Sequence, residues 1–308
     1  ALLISPVSSP RIADLDGDGD MDLLMTHQDT DTIVWYENDG NQTFTRRIVA
    51  DAFVDPTRLT TCDLDGDGDL DLLASAHDGL YWLENDGNQV FTQHNIATDG
   101  GPVHATDVDG DGDVDIVTSS DAGLHWYEND GSQAFTTHLV ADDLDAGAVS
   151  ACDLDGDGDL DLLCGTGRDA GTLPKSVVWL ENNGNQAFTA QAIYTATATY
   201  SYWDPSALRP ADMDGDGDLD VVLDGSEGEE EVGNSTYYWW LENDGSQSFT
   251  MHATSDYSES INNPYLRDMD RDGDLDIVDH TVWIENWNAA TNTPPTTADH
   301  TVTAQANT

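Results

Sequence analysis

Positive charge is nearly missing from this chain. Nine Lys and Arg stand against 61 Asp and Glu in 308 residues, for a net charge of -52 at pH 7. Lysine occurs once, at Lys175. Without a basic stripe to displace counterions, nucleic acid is excluded as a partner, and anionic membrane surfaces with it. No apolar run reaches the roughly 18 residues of a spanning helix, so no membrane insertion is expected. Cysteine is scarce too: Cys62, Cys152 and Cys164 are odd in number and form no Cys-x-x-Cys pair. That excludes a disulfide framework and a zinc ribbon. Cys62 and Cys152 share one repeat position and read as small buried residues, while a Cys152–Cys164 bridge across one hairpin is left to geometry. A phosphate-cradling GxxxxGK[ST] run and a legible Ser/His/Asp or Cys/His constellation are also missing. No signal peptide is visible, so the sequence reads as a mature fragment. So acidic a surface suits a salty medium, where screening relieves self-repulsion.

What the chain has instead is a nine-residue stretch repeated six times. Asp63-Leu64-Asp65-Gly66-Asp67-Gly68-Asp69-Leu70-Asp71 shows the pattern. The other copies place Asp at Asp14, Asp16, Asp18, Asp20 and Asp22; at Asp107, Asp109, Asp111, Asp113 and Asp115; at Asp153, Asp155, Asp157, Asp159 and Asp161; at Asp212, Asp214, Asp216, Asp218 and Asp220; and at Asp268, Asp270, Asp272, Asp274 and Asp276. In a tight glycine loop, carboxylates at positions 1, 3 and 5 converge. Position 7 adds its backbone carbonyl, and position 9 swings its carboxylate back. Six or seven hard oxygens suit Ca²⁺, whereas Mg²⁺ demands a smaller octahedron and keeps its waters. About six Ca²⁺ sites are expected. Five alternating Asp without a cation would repel one another, which counts against a merely solvated turn. The start resembles an EF-hand loop, but position 12 is Met25, Ala74, Thr118, Cys164, Leu223 or Asp279 rather than the bidentate Glu. Apolar strand-like runs follow, so the loop joins two strands.

Each loop sits in the same context. A short run such as 58–62 precedes it, and Leu72–Ala76 follows. Then come Leu80–Glu84, the turn Asn85-Asp86-Gly87-Asn88, and Phe91–Ile96. Asp-Gly between alternating runs is a hairpin signal. Four strands, A to D, repeated once per loop, predict an all-β, six-bladed β-propeller of four-stranded antiparallel blades, with calcium loops between A and B. One Trp per unit on strand C (Trp35, Trp82, Trp126, Trp179, Trp240 and Trp283) and one Phe on strand D read as packing between sheets. His94, His138 and His252 recur on strand D and read as surface residues. The sixth unit loses its turn and Phe after Asn286, so it lacks strand D. Residues 1–4 have no blade of their own and are expected to supply that outer strand, closing the ring. The propeller would span 1–287. Residues 288–308 read as a linker or the start of an Ig- or cadherin-like module, such as those found in tandem in bacterial surface proteins.

Asp-Leu-Asp-Gly-Asp-Gly-Asp-Leu-Asp paired with Trp-Leu-Glu-Asn-Asp-Gly and Phe-Thr resembles the FG-GAP/VCBS repeats, over roughly residues 1–287. The resemblance implies a calcium-binding β-propeller of the kind found in integrin α-subunit heads, some lectins and bacterial secreted proteins. It implies that the odd-position Asp of each loop are the ligands. The sixth loop departs by carrying Arg271 where the others have Gly. The family implies fold and metal but no particular ligand.

The A–B and C–D turns are nearly identical in every unit. The B–C and D–A connections vary in length, most in units four to six. Variable loops on a rigid scaffold are where recognition is usually built. The scarce cations gather there: Arg11, Arg58, His104, Arg168, Arg209 and, at the same strand-A position, Tyr265. Trp203 and Trp239 lie outside the repeated Trp position and offer possible sugar-stacking faces; loop anchoring is the plain alternative, as charge neutralisation is for the arginines. The reading is a secreted or surface-borne, acidic, non-catalytic binding module for a glycan or an extracellular protein, monomeric within a longer adhesive chain. A polysaccharide lyase using Arg209, His104 and Tyr265 is the alternative, and a structural spacer the third.

Overall fold

A computed structural model describes residues 7–41, 43–51, 53–98, 100–120, 122–142, 144, 146–166, 176–195, 207–227, 235–253, 265–267, 276–278 and 283–284. It is all-β; among the described residues the only helical turn is the 3-10 turn Gln28–Thr30. Strands A to D of the first sheet are Val7–Ala13, Asp22–His27, Thr32–Asn38 and Phe44–Asp51. The second sheet has Pro56–Cys62, Asp71–Ala76, Gly79–Asn85 and Phe91–Ala97, and the third has Val103–Thr106, Asp115–Ser120, Gly123–Asn129 and Phe135–Ala141. The fourth has Ala146–Cys152, Asp161–Thr166, Ser176–Asn182 and Phe188–Thr195, and the fifth Leu208–Ala211, Asp220–Glu227, Ser235–Asn243 and Phe249–Ala253. Each is an antiparallel A-B-C-D meander.

Of the sixth sheet the described residues give three strands, Tyr265–Arg267, Asp276–Val278 and Trp283–Ile284, and the fourth, expected from residues 1–4, lies outside them. One point departs from the expected closed six-bladed propeller. The described residues define no closed ring. The chain divides into two compact units, residues 1–149 and 150–308, with the division inside strand A of the fourth sheet. The N-terminal segment assigned to the last sheet and the 288–308 tail lie outside the described residues.

The sequence dictates this layering. Strand B is buried along its whole length in the second, third and fourth sheets, as expected where both faces of a sheet are covered. In the first unit, Leu24, Ile33 and Trp35 meet Leu59, Leu72, Ala74 and Tyr81 between the first two sheets. Leu64, Leu73, Trp82 and Ile116 fill the next gap. Phe91 and Phe135 each pack into the cluster shared with the preceding sheet, as the repeated Phe was expected to do. The first sheet differs. Register puts Ile12, Leu23 and Tyr36 on one face, together with Val34 and Ile48 and with Phe44 opposite Asn38. There Ile12 is 67% exposed, Met21 60%, Phe44 53% and Ile48 53%. On the same face Met25, Val34 and Tyr36 form a buried cluster with Leu23 packed against it, so the exposure belongs to single residues and not to the whole face.

Candidate metal centre

The A–B loop folds on its own carboxylates. In the second repeat Asp63 Oδ2 accepts the Gly68 N–H at 3.1 Å. Asp65 Oδ1 accepts from Asp67 N at 3.2 Å, and Asp67 Oδ1 from Asp69 N at 2.9 Å. The chain can wind this tightly because Gly66 and Gly68 hold φ of +72° and +98°, where a Cβ is disfavoured. The first, third, fourth and fifth loops repeat the position-1 bond at 2.9–3.1 Å.

Position 9 opens strand B and is the best-defined carboxylate. Asp71 Oδ2 accepts from Leu64 N at 3.1 Å and Oδ1 from Asn85 N at 2.7 Å. It thereby ties the loop to the end of strand C. Asp22, Asp115, Asp161 and Asp220 do the same, and all five are at most 1% exposed. Burial pushes Asp71, Asp115, Asp161 and Asp220 up to about 6, against the lowering effect of those N–H groups.

Asp14, Asp16 and Asp18 each bring one oxygen within 4.8 Å of the others. So do Asp63, Asp65 and Asp67; Asp107, Asp109 and Asp115; Asp153, Asp155 and Asp157; and Asp212, Asp214 and Asp220. Position 7 is different. A Cβ on Gly87 would stand 2.2 Å from Asp69 Oδ2, so that carboxylate lies against the C–D turn instead of in the cluster. Asp20, Asp113, Asp159 and Asp218 lie likewise against Gly40, Gly131, Gly184 and Gly245. Only their backbone carbonyls are left for an ion. The sixth loop, Asp268 to Asp274, lies outside the described residues.

These residues fit a hard divalent cation. Every side-chain donor is a carboxylate oxygen. Asp14 Oδ1 and Asp63 Oδ1 are buried with no hydrogen-bond partner, and a buried carboxylate oxygen without a donor needs a cation beside it. Asp16, Asp65, Asp109, Asp155 and Asp214 are all held above their ordinary pKa, first by burial and then by neighbouring carboxylates. A divalent ion among them would reverse that repulsion.

The candidate ligand-binding residues are placed less uniformly. Arg11 Nε donates to Leu59 O at 2.8 Å, and Arg58 Nη2 to Gly147 O at 3.0 Å. Both therefore tie strands A of the first unit to one another. His104 lies on strand A of the third sheet, and burial holds its pKa low, which keeps it neutral. Arg209 is on strand A of the fifth sheet and Tyr265 on strand A of the sixth. Trp239 is 4% exposed and so offers no open ring face. Arg168 and Trp203 fall outside the described residues. The three cysteines are free, so Cys152 and Cys164 are not bridged; burial pushes the thiols of Cys62 and Cys152 up to about 12.

The recurring histidines of strand D, read from the sequence as surface residues only, make a repeated contact. His94 stacks on Trp82 with centroids 4.5 Å apart, and its Nε2 meets Glu84 at 2.7 Å. His138 on Trp126 with Glu128, and His252 against Trp240 with Glu242, repeat it. In the first sheet Arg47 takes the place of His, 5.3 Å over Trp35 and bonded to Glu37. These histidines brace strand D. The signal was their recurrence at a fixed distance from the Trp.

No curated protein matches the sequence. Among solved structures, the chain is similar to an Agrocybe aegerita lectin whose structure concerns recognition of non-reducing terminal N-acetylglucosamine. The TM-score is 0.61 at 21% identity, over 90% of this chain and 74% of that one. It also matches 38% of the V. cholerae biofilm matrix protein Bap1, at a TM-score of 0.44 and 19% identity over 79% of this chain. The FG-GAP-like repeat matches residues 14–74, 63–118, 107–164 and 167–223. Each of the first three spans starts on the first Asp of a loop. Together the matches cover well over half of the chain, which belongs to the FG-GAP-like repeat family.

Proposed function

We propose that this chain is a calcium-stabilised, non-catalytic recognition module of a secreted or surface protein, binding a glycan or an extracellular partner through the loops opposite the metal sites. The observation that carries this is an asymmetry between the two ends of each sheet. At one end the A–B loop and C–D turn keep the same bonds from repeat to repeat. At the other end the connections run from two residues, His77–Asp78, to the segments 167–175, 196–207, 228–234 and 254–264. Arg168 and Trp203 belong to these long segments, and Arg209 begins just after one. A protein of similar fold recognises terminal N-acetylglucosamine, so such a scaffold is compatible with a sugar site. The test is a glycan array probed with calcium and again with chelator. Calcium-dependent binding to a defined set of sugars supports the reading. Silence across the array and against extracellular matrix proteins favours a spacer. A rise at 235 nm on uronate polysaccharides would make the chain a lyase.

The carboxylate clusters would hold Ca²⁺ through positions 1, 3, 5 and 9, with the position-7 carbonyl; the ion would supply the positive charge that these buried oxygens lack. Extracellular calcium is high enough to fill weak modular sites, which supports that location. Six copies of one strand pattern support closure of the sheets into the ring expected from the sequence. X-ray scattering tests this: a closed ring predicts a radius of gyration of about 19 Å, and an open array a clearly larger one.

A further inference from the structure

The C–D turn carries an unexplained backbone conformation. Gln89, Gln133, Gln186 and Gln247 hold φ of +66°, +63°, +59° and +62°. For a non-glycine residue this costs about 1 kcal/mol or more, and Gly or Asn would fill the position more easily. Strain repeated in four copies calls for a compensating contact. In two of them the side chain supplies one. Gln89 Nε2 donates to Asp16 Oδ2 at 3.4 Å, and Gln247 Nε2 to Asp155 Oδ2 at 3.4 Å. In each case the acceptor is position 3 of the loop in the preceding repeat. At the start of the same turn, Asn85 Nδ2 donates to Leu15 O at 3.3 Å and Asn243 Nδ2 to Leu154 O at 3.4 Å, the position-2 carbonyls of those same loops. Asn129 reaches Leu64 O at 3.0 Å in the same way.

We propose that Asn85 with Gln89, and Asn243 with Gln247, are positioning residues for the metal loop of the repeat before them, so that each ion site is completed by the next sheet along the chain. The inference rests on the calcium reading above. Bonds of 3.4 Å are weak, so they orient the carboxylate more than they hold it. A carboxylate oxygen keeps lone pairs for an ion after accepting one amide. Outer partners of this kind typically change metal affinity about tenfold or more. The fifth loop is the built-in exception. The repeat after it runs Asn286-Trp287-Asn288-Ala289 and contains no Asp-Gly-x-Gln, so the ion at Asp212–Asp220 is held more weakly than those of the first and fourth loops.

The test uses the full chain. Gln89→Gly removes the amide while relieving the backbone, so misfolding is not the expected outcome. Native mass spectrometry across a calcium titration should show one ion bound about tenfold more weakly than in the parent protein. In an Asp16→Asn background, Gln89→Gly should cost no further ion. The melting point should fall more in calcium than in chelator. If Gln89→Gly keeps every ion at parental affinity, or lowers the melting point equally with and without calcium, the turn is only a structural clasp and the proposal fails. If the parent protein binds no calcium at all, the calcium reading falls, and this inference with it.

Discussion

The repeats of the first unit and those of the second share their aspartate loops and differ at the other end. In the second and third sheets, strands B and C are joined by His77–Asp78 and by residues 121–122. In the fourth and fifth sheets the same joints are residues 167–175 and 228–234. The Asp-to-Gly bonds of the loops stay within 2.9–3.1 Å on both sides of this divide. The difference shows where each repeat is free to change. A residue inserted in the A–B loop moves a carboxylate out of a cluster only 4.8 Å across. A residue inserted between B and C costs little, since doubling a loop adds only about 0.6 kcal/mol.

Removing the ions should produce the largest effect, and it should strike both units. Each site filled at about 100 times its Kd contributes about 2.7 kcal/mol. Calorimetry in chelator should therefore show a melting point lower by roughly 10 °C or more. A loss confined to one of two transitions would show that only one unit depends on metal.

Next in size is Asp71→Ala. It removes a proposed ligand and also strands the Leu64 and Asn85 N–H groups in the interior. Each costs about 1–3 kcal/mol. Denaturant melts should show destabilisation in chelator as well as in calcium, whereas Asp67→Ala should matter mainly in calcium. Equal behaviour of the two would remove the distinction between position 9 and position 5.

Acidity separates ion from scaffold. Without metal, the folded-state values near 6 for Asp71, Asp115, Asp161 and Asp220 lie above the unfolded value of about 3.9. The folded protein then binds more protons, and stability falls as pH rises through about 4 to 6. In chelator the melting point should be higher at pH 5 than at pH 7.5. In calcium the order should reverse, because protons compete with the ion. The same slope in both conditions would contradict metal binding at these carboxylates.

Exchanging the connections tests the comparison directly. Replacing residues 167–175 by His-Asp, as at 77–78, should move the melting point by no more than about 3 °C and abolish any ligand binding found on an array. Retained binding would take recognition away from that segment.

Much of this was legible in the sequence because spacing alone carries it. Paired glycines between alternating Asp dictate the loop, and Asp-Gly between apolar runs dictates the next turn. Trp239 was harder. A sheet covered on both faces buries neighbouring residues of strand C alike, so a second Trp beside Trp240 packs inward instead of waiting for a sugar. The arginines were harder still. A long cationic side chain reaches a backbone carbonyl of another strand, and nothing in the spacing says that Arg11 meets Leu59 or that Arg58 reaches Gly147. Long connections were visible as lengths, but length does not specify which side chains converge.

The smallest effect concerns the outer strand, where the fourth sheet differs from three others by one residue. In the second, third and fifth sheets a His lies opposite the repeated Trp and pairs with Glu. In the fourth sheet the register partner of Trp179 is Gln191, with Glu181 two residues on from the Trp. Gln191→His should reproduce the missing stack and charge pair. Stacking on an indole adds about 0.5–1 kcal/mol, and a half-exposed ion pair adds little more. A gain of about 0.5–1 kcal/mol in a denaturant melt is therefore expected, larger at pH 6 than at pH 8 because the pair needs a protonated imidazole. No gain at either pH would mean that the His–Trp contact follows from strand pairing and contributes nothing to it.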